Sequence, residues 1–256
     1  MKKLLFMVCA AALTVGCQNG DLEIIGGGEG SIAITASTSG DIQTKADGEN
    51  GVQVATPALG EFSLLITGDV NGFSKSWASI SDYNSEDERF VSGAYTVAIE
   101  WGDINEEGYS KPYFYGEVSA AVPDRNKTID VEVVATVGNA IVEIATTENF
   151  RGYFPTRNFT LTTASNTFEL SEEPTEHLFI APQANVALDC TCIRQSNLAA
   201  GKQESLATQY IPEVKARTRY IVTYDLEKAG NVTVTVKLDD TLIGSEEIDV
   251  ELNENA

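Results

Sequence analysis

The sequence predicts an all-β chain folded as two antiparallel β-sandwich domains, and three observations carry that reading. Apolar and polar residues alternate with a period of two through most of residues 31–252. The alternating runs are short and are separated by Gly, Asn and Asp turn signals, the spacing expected of sandwiches or barrels. Beyond the N-terminal apolar run, no stretch keeps a helical period. Each run has one apolar and one polar face, as in antiparallel sheets packed on one side and solvated on the other.

Taken in order, the chain begins MKKLLFMVCAAALTVGC, with Lys2 and Lys3 ahead of an apolar run from Leu4 to Leu13. That run suits the core of a signal peptide and is shorter than the roughly 20 apolar residues a membrane span needs. It ends in Val15-Gly16-Cys17, which resembles the lipobox of bacterial lipoproteins, with Thr14 standing where Leu is usual. The resemblance implies a signal peptide over 1–16 and diacylation at Cys17, so that the lipid holds the chain at the cell outer membrane. Residues 17–30 read as a glycine-rich tether reaching roughly 20 Å from the lipid. The GGGEG run within it follows no strand and completes neither a dinucleotide nor a phosphate-loop pattern. Asp21 and Glu23, just behind the cysteine, resemble the surface-export signals of Bacteroidales-type lipoproteins.

An N-terminal sandwich is expected over 31–137 and a C-terminal one over 138–256, divided at Gly138-Asn139. In the first, Ile32, Ile34 and Ala36 alternate with Ser31, Ala33 and Thr35, and a polar segment from Ser37 to Pro57 follows. Phe62, Leu64 and Ile66 then share a face, with turn signals at Gly68-Asp69 and Asn71-Gly72. Tyr95, Val97 and Ile99 repeat the pattern, as do Ile129, Val131, Val133 and Ala135. In the second, Val142 and Ile144, Phe159 and Leu161, and Phe168 and Leu170 mark short strands. Tyr220, Val222 and Tyr224, then Val232 to Leu238, then Ile248, Val250 and Leu252 complete the series. Cys190 and Cys192 project to the same face as Val186 and Leu188 in an extended strand, which reads as a pair of buried core thiols. A bond between them would be strained, and C-x-C alone lacks the other ligands of a zinc site.

Charge narrows the partners. Lys and Arg number 17 against 38 Asp and Glu, a net charge of −21, and nothing in such a chain neutralises phosphates, so nucleic acid and anionic headgroups are excluded. Catalysis has little to draw on. His177 is the sole histidine, so a Ser-His-Asp arrangement would depend on this one residue, and His-based metal clusters are excluded by count. It reads as a rim histidine. The acid pairs Glu106-Glu107, Glu172-Glu173 and Glu246-Glu247 fall beside turns or strand ends, and a glycosidase pair among them would be set by the fold rather than by spacing. Asp82 to Glu88 lacks the sixth-position glycine and the closing glutamate of a calcium loop, and reads as a solvated acidic loop. No enzyme, cofactor or metal is expected. Trp101, Tyr109, Tyr113, Phe114 and Tyr115 flank a loop. Aromatic faces beside carboxylates are what sugar binding uses, which makes Trp101, Tyr113 and Tyr115 candidate glycan contacts. Alternation along 113–115 sends at least one ring into the core.

Several stretches occur in a familiar order: Thr44-Lys45, GAYTVAIEWG (93–102), KPYFYGE (111–117), VGNAIVEI (137–144), NFRGYFPTRNFTLTT (149–163) and TRYIVTYDL (218–226). With the lipobox and first strand they resemble a Bacteroidales lipoprotein family catalogued only as a domain of unknown function. The layout is similar to that of fimbrillin-like and fimbrial-accessory lipoproteins, and the resemblance covers most of Gly30 to Asp240. It implies two β-sandwich domains, transthyretin-like or Ig-like, and a role in surface adhesion or pilus assembly without catalytic residues. The partners implied are fimbrial subunits or surface glycans, beside the membrane met through the N-terminal lipid. The expected function is therefore an outer-membrane-anchored surface lipoprotein of fimbrillin or adhesin type, with a glycan-binding surface lipoprotein as the alternative. In fimbrillin-like pilins an N-terminal strand is cut away after a basic residue and a strand from the next subunit replaces it. Here the cut would fall at Lys45-Ala46, with Glu246 to Leu252 as a donor strand, but the favoured reading keeps both as ordinary strands of one monomer. Asp240-Thr241-Leu242 resembles the O-glycosylation motif of exported Bacteroidales proteins, which makes Thr241 a candidate. The sequons at Asn126, Asn158 and Asn231 read as accidents of composition.

Overall fold

The computed structural model describes residues 28–44, 52–123, 126–229, 231–238 and 241–248. Ten strands come from its first half: β1 (Glu29–Ser39), β2 (Asp41–Thr44), β3 (Val52–Gln53), β4 (Ser63–Gly68), β5 (Phe73–Trp77), β6 (Phe90–Val91), β7 (Gly93–Trp101), β8 (Gly108–Tyr109), β9 (Phe114–Val122) and β10 (Thr128–Val137). Seven of them form one sheet in the order β5-β4-β7-β9-β10-β1-β6. The β9–β10 ladder within it is two residue pairs long, Tyr115 with Thr136 and Phe114 with Val137. A Cβ on Gly116 would strike the carbonyl oxygen of Val134, so only glycine lets the two backbones approach so closely here. Inward residues from both sides of this join, among them Leu64, Val97 and Ile99 on one and Ile32, Val131 and Val133 on the other, share a single core.

The second half supplies β11 (Ala140–Thr146), helix α1 (Glu148–Tyr153), β12 (Thr156–Thr162), β13 (Thr167–Leu170), β14 (Leu178–Ile180), β15 (Gln183–Ile193), β16 (Glu204–Ser205), β17 (Gln209–Val214), β18 (Thr218–Ala229), β19 (Asn231–Leu238) and β20 (Thr241–Ile248). One sheet runs β20-β19-β18-β11-β14-β8, with β2 paired to β18 and β3 to β2; the other runs β13-β12-β15-β16, with β17 on β15. Val142, Ile144, Tyr220, Val222 and Tyr224 from the first sheet meet Phe159, Leu161, Val186, Leu188, Cys190 and Cys192 from the second in one core. The two thiols are free and buried, as the alternation predicts.

The all-β expectation holds, and the alternating residues of the marked strands become the cores: Phe62, Leu64, Ile66, Val97, Ile99, Tyr220, Val222 and Tyr224 are all at most 1% exposed. Within that class the sheets are mixed rather than purely antiparallel. β1 pairs with β10 in parallel from Ser31/Thr128 to Ser39/Thr136, and β11 and β2 both lie parallel to β18. The helix α1 is also new. Its six residues are too short to show a period, but Thr147 caps it by accepting the Phe150 N–H at 3.3 Å, and Phe150 and Phe154 are fully buried behind it.

The two cores are stitched to one another. Ile141 of β11 and Phe179 of β14 turn away from their neighbours Val142 and Leu178 and are buried in the first core. β2 and β8, from the first half, pair with β18 and β14 of the second.

Candidate functional site

The register between β7 and β9 decides where the candidate rings go. Trp101 lies opposite Phe114, and Glu100 lies opposite Tyr115. Phe114 is fully buried, and Trp101 packs edge-on against it with ring centroids 6.2 Å apart, on the core face. Tyr113 and Tyr115 stand on the opposite face, their rings 16° from parallel and 6.3 Å between centroids. The three candidate glycan contacts are thus divided: two tyrosines share a face, and Trp101 lies behind the sheet.

Each tyrosine is tied to a carboxylate. The Tyr113 hydroxyl donates to Glu100 Oε2 at 3.1 Å and the Tyr115 hydroxyl to Glu117 Oε2 at 2.5 Å. The Tyr113 backbone is held on both sides by the Gly138-Asn139 turn: its N–H donates to Asn139 Oδ1, and its carbonyl accepts the Gly138 N–H at 2.7 Å. A Cβ on Gly138 would sit 2.5 Å from the Tyr113 ring, so the glycine lets the ring lie flat over the turn. Burial raises both phenol pKa values, and the neighbouring carboxylates push them further up. Burial also raises that of Glu100, against the opposing hydrogen bond from Tyr113. Beside Tyr115 the sheet has a shallow dip lined by Ser63, Leu65, Ala98, Ile99 and Glu100.

A second cluster lies on the face of the β18-β11-β14 strands turned away from the second core. Glu143 accepts from Arg219 Nη2 at 2.6 Å and from Nε at 3.1 Å, and its other oxygen lies 2.9 Å from His177 Nδ1. His177 is therefore a rim histidine with a carboxylate partner. Among the described residues Glu143 is the one hydrogen-bonding partner of the His177 side chain, with no nucleophile bonded to the ring.

The sequence does not single out Glu107 from the acid pair Glu106-Glu107, yet it has four hydrogen-bond donors. Glu107, in the loop between β7 and β9, accepts at Oε2 from Thr163 Oγ1 at 2.6 Å and Asn166 Nδ2 at 3.0 Å. At Oε1 it accepts from the Ala181 N–H at 3.0 Å and Gln183 Nε2 at 3.3 Å. Next to it Tyr109 donates to the Glu169 carbonyl at 2.6 Å, and Ser110 N–H to the His177 carbonyl at 3.1 Å. In the acidic loop, Asn84 organises a turn through Asp87 and Glu86, while Glu88 pairs with Lys75. No group of three or more His, Cys, Asp or Glu that could hold a metal ion occurs among the described residues. No helix among them is long and apolar enough to cross a membrane.

Cys17 and Lys45 lie outside the described residues. Thr241 opens β20 opposite Leu238, at the closed end of a hairpin. The strand proposed as removable, β1, has Ile32 fully buried and is flanked by β10 and β6. Residues 246–248 of the proposed donor pair with β19, and 249–252 lie outside the described residues.

No curated protein matches the chain. Among solved structures, a fimbrial assembly protein from Parabacteroides distasonis is 8% identical with a TM-score of 0.44, over 86% of this chain and 98% of its own. A candidate cell adhesion protein from Bacteroides fragilis is 9% identical with a TM-score of 0.40, over 81% and 96%. A candidate polysaccharide-binding protein from Bacteroides thetaiotaomicron is 8% identical with a TM-score of 0.38, over 88% and 99%. Likeness at this level carries no weight for function. Kinship rests instead on a family model matched over residues 28–254: the chain belongs to the family described as a domain of unknown function, DUF4493.

Proposed function

We propose that this protein is a surface lipoprotein of adhesin type, structural or adhesive rather than catalytic, anchored in the outer membrane through lipid on Cys17. Its body is two β-sandwich domains divided near residue 138. The observation that carries the reading is the way the chain enters its fold. β1 begins at Glu29, directly after the glycine-rich tether, and is locked at once between β10 and β6. A body fixed so close behind an acyl anchor stands at the membrane surface, and two acyl chains hold it there firmly. The test is protease shaving of intact cells alongside fractionation of a Cys17→Ser variant. The body is expected to be cut from the outside, and the variant to leave the membrane fraction. Full protection on intact cells, or unchanged membrane recovery of the variant, would count against it.

The tyrosine face favours glycan binding as a second reading. It sets two parallel aromatic rings beside two carboxylates on a solvent-facing sheet.

A further inference from the structure

The dip beside Tyr115 has features that packing alone does not require. Glu100 is partly buried, and burial pushes its pKa up. It nonetheless receives one side-chain hydrogen bond, at Oε2 from Tyr113. Its Oε1 takes none from the described residues, and the residue lines the dip. A partly desolvated carboxylate oxygen is a strong acceptor for any hydroxyl that reaches it. Leu65, Ala98 and Ile99 supply its apolar lining, with Tyr115 beside them. Ser63 stands at the rim, its hydroxyl donating to the Glu100 carbonyl at 3.3 Å, which leaves its lone pairs open. On the other side Glu117 is exposed and uses one oxygen for Tyr115.

We propose that this dip is a subsite for one neutral sugar unit of a glycan, with the sugar's C–H face on Tyr115 and one of its hydroxyls donating to Glu100 Oε1. The proposal rests on the glycan-binding reading of the same face. The dip has room for about one water or hydroxyl, so the sugar ring lies over it and a single hydroxyl enters. Tyr113 belongs to the site as a positioning residue, because it holds Glu100 while Gly138 holds it. The sign of the charge selects the ligand: Glu100 and Glu117 flank the platform on a chain of net charge −21, so uronic-acid, sialylated and sulfated glycans are repelled. Trp101, on the reverse of the sheet, has no part in binding.

The test is affinity electrophoresis of the full chain in gels containing a glucan, a galactan, a mannan or a xylan, with polygalacturonate as the anionic probe. Retardation by at least one neutral polysaccharide and none by polygalacturonate is expected. Tyr115→Ala and Glu100→Ala should each weaken that retardation by about tenfold or more, while Trp101→Phe should stay within about twofold. Thermal unfolding of each variant separates loss of the site from loss of the fold. If none of the four neutral polysaccharides retards the chain, or if folded Tyr115→Ala binds as well as the wild type, the subsite is overturned. Surface display is read separately by shaving intact cells, so a failed subsite leaves the adhesin reading standing, and a chain that is never displayed leaves the binding result intact.

Discussion

Among the described residues Glu107 has four donors and no cation beside it. Removing it strands the Ala181 N–H and Asn166 Nδ2 and leaves Thr163 Oγ1 and Gln183 Nε2 only their contacts to the Asn166 and Ala181 carbonyls, and hydrogen bonds to a charged acceptor contribute about 1.5–3 kcal/mol each before relaxation and water are counted. Glu107→Ala is expected to lower unfolding free energy by about 2–4 kcal/mol in urea titrations. Glu106→Ala, which removes an exposed pair with Lys111, should change it by less than about 1 kcal/mol. Equal effects would show that the clamp is decorative. Nothing local distinguishes the two acids in sequence, because the partners of Glu107 lie 56 to 76 residues further on. The rings divide the same way: alternation along Tyr113-Phe114-Tyr115 suffices to send Phe114 inward. That Trp101 joins it depends on the β7–β9 register, which no single strand encodes. Tyrosines also set the alkaline limit of the molecule. Tyr83 donates to the Ile32 carbonyl at 2.5 Å, and burial first, then Glu88, push its pKa up to about 12. The unfolded phenol ionises near about 10, so the neutral form is favoured in the fold. That stabilisation is complete below pH about 10 and is lost as pH rises towards about 12. Urea midpoints should fall across this window as tyrosinate absorbance appears, with a shallower fall in Tyr83→Phe.

At the scale of elements, edges matter most. Among the described residues β5 ends the seven-stranded sheet with β4 as its one partner strand, the position at which sheets recruit further strands. Phe73 and Trp77 on this strand pack against the core, yet Lys75 between them points the same way, pairs with Glu88 at 2.5 Å and lies 5.1 Å from the Trp77 ring centre. An exposed lysine on an edge strand hinders a second chain from adding there. Lys75→Val should leave thermal stability nearly unchanged but raise the rate of aggregation at equal concentration, seen by light scattering, and an unchanged rate would remove the role. Strand existence was readable almost throughout because burial on one face imprints a period of two. Strand direction was not. A half-solvated parallel strand such as β1 carries the same alternation as an antiparallel one, so the parallel ladders left no local trace. α1 escaped for a different reason, since one and a half turns with two buried rings look like any apolar segment.

Across the whole molecule, the buried core residues before Gly138 lie in one cluster and most of those after it in the other, Ile141 and Phe179 excepted, and several pairings between the halves come from segments that read as loops. The 102–113 loop reaches the second half through β8, Tyr109 and Glu107, while β2 reaches it through β18. Loop residues carry no period to betray such contacts, which is why the two halves look independent in sequence and are joined in the structure. The parallel pairing of β1 with β10 has a further consequence, a mechanical one. β1 is the first strand among the described residues, and the C-terminal end of β10 leads through Gly138-Asn139 into β11. Tension drawn through the N-terminus therefore pulls the start of β1 one way while the second half pulls the end of β10 the other. Because the two strands run in the same direction, the ladder from Ser31/Thr128 to Ser39/Thr136 is loaded lengthwise and its bonds resist together. An antiparallel hairpin such as β19–β20, pulled at its open end, would unzip bond by bond. The β1–β10 join is thus built to resist tension applied through the N-terminus, and the chain should yield elsewhere first.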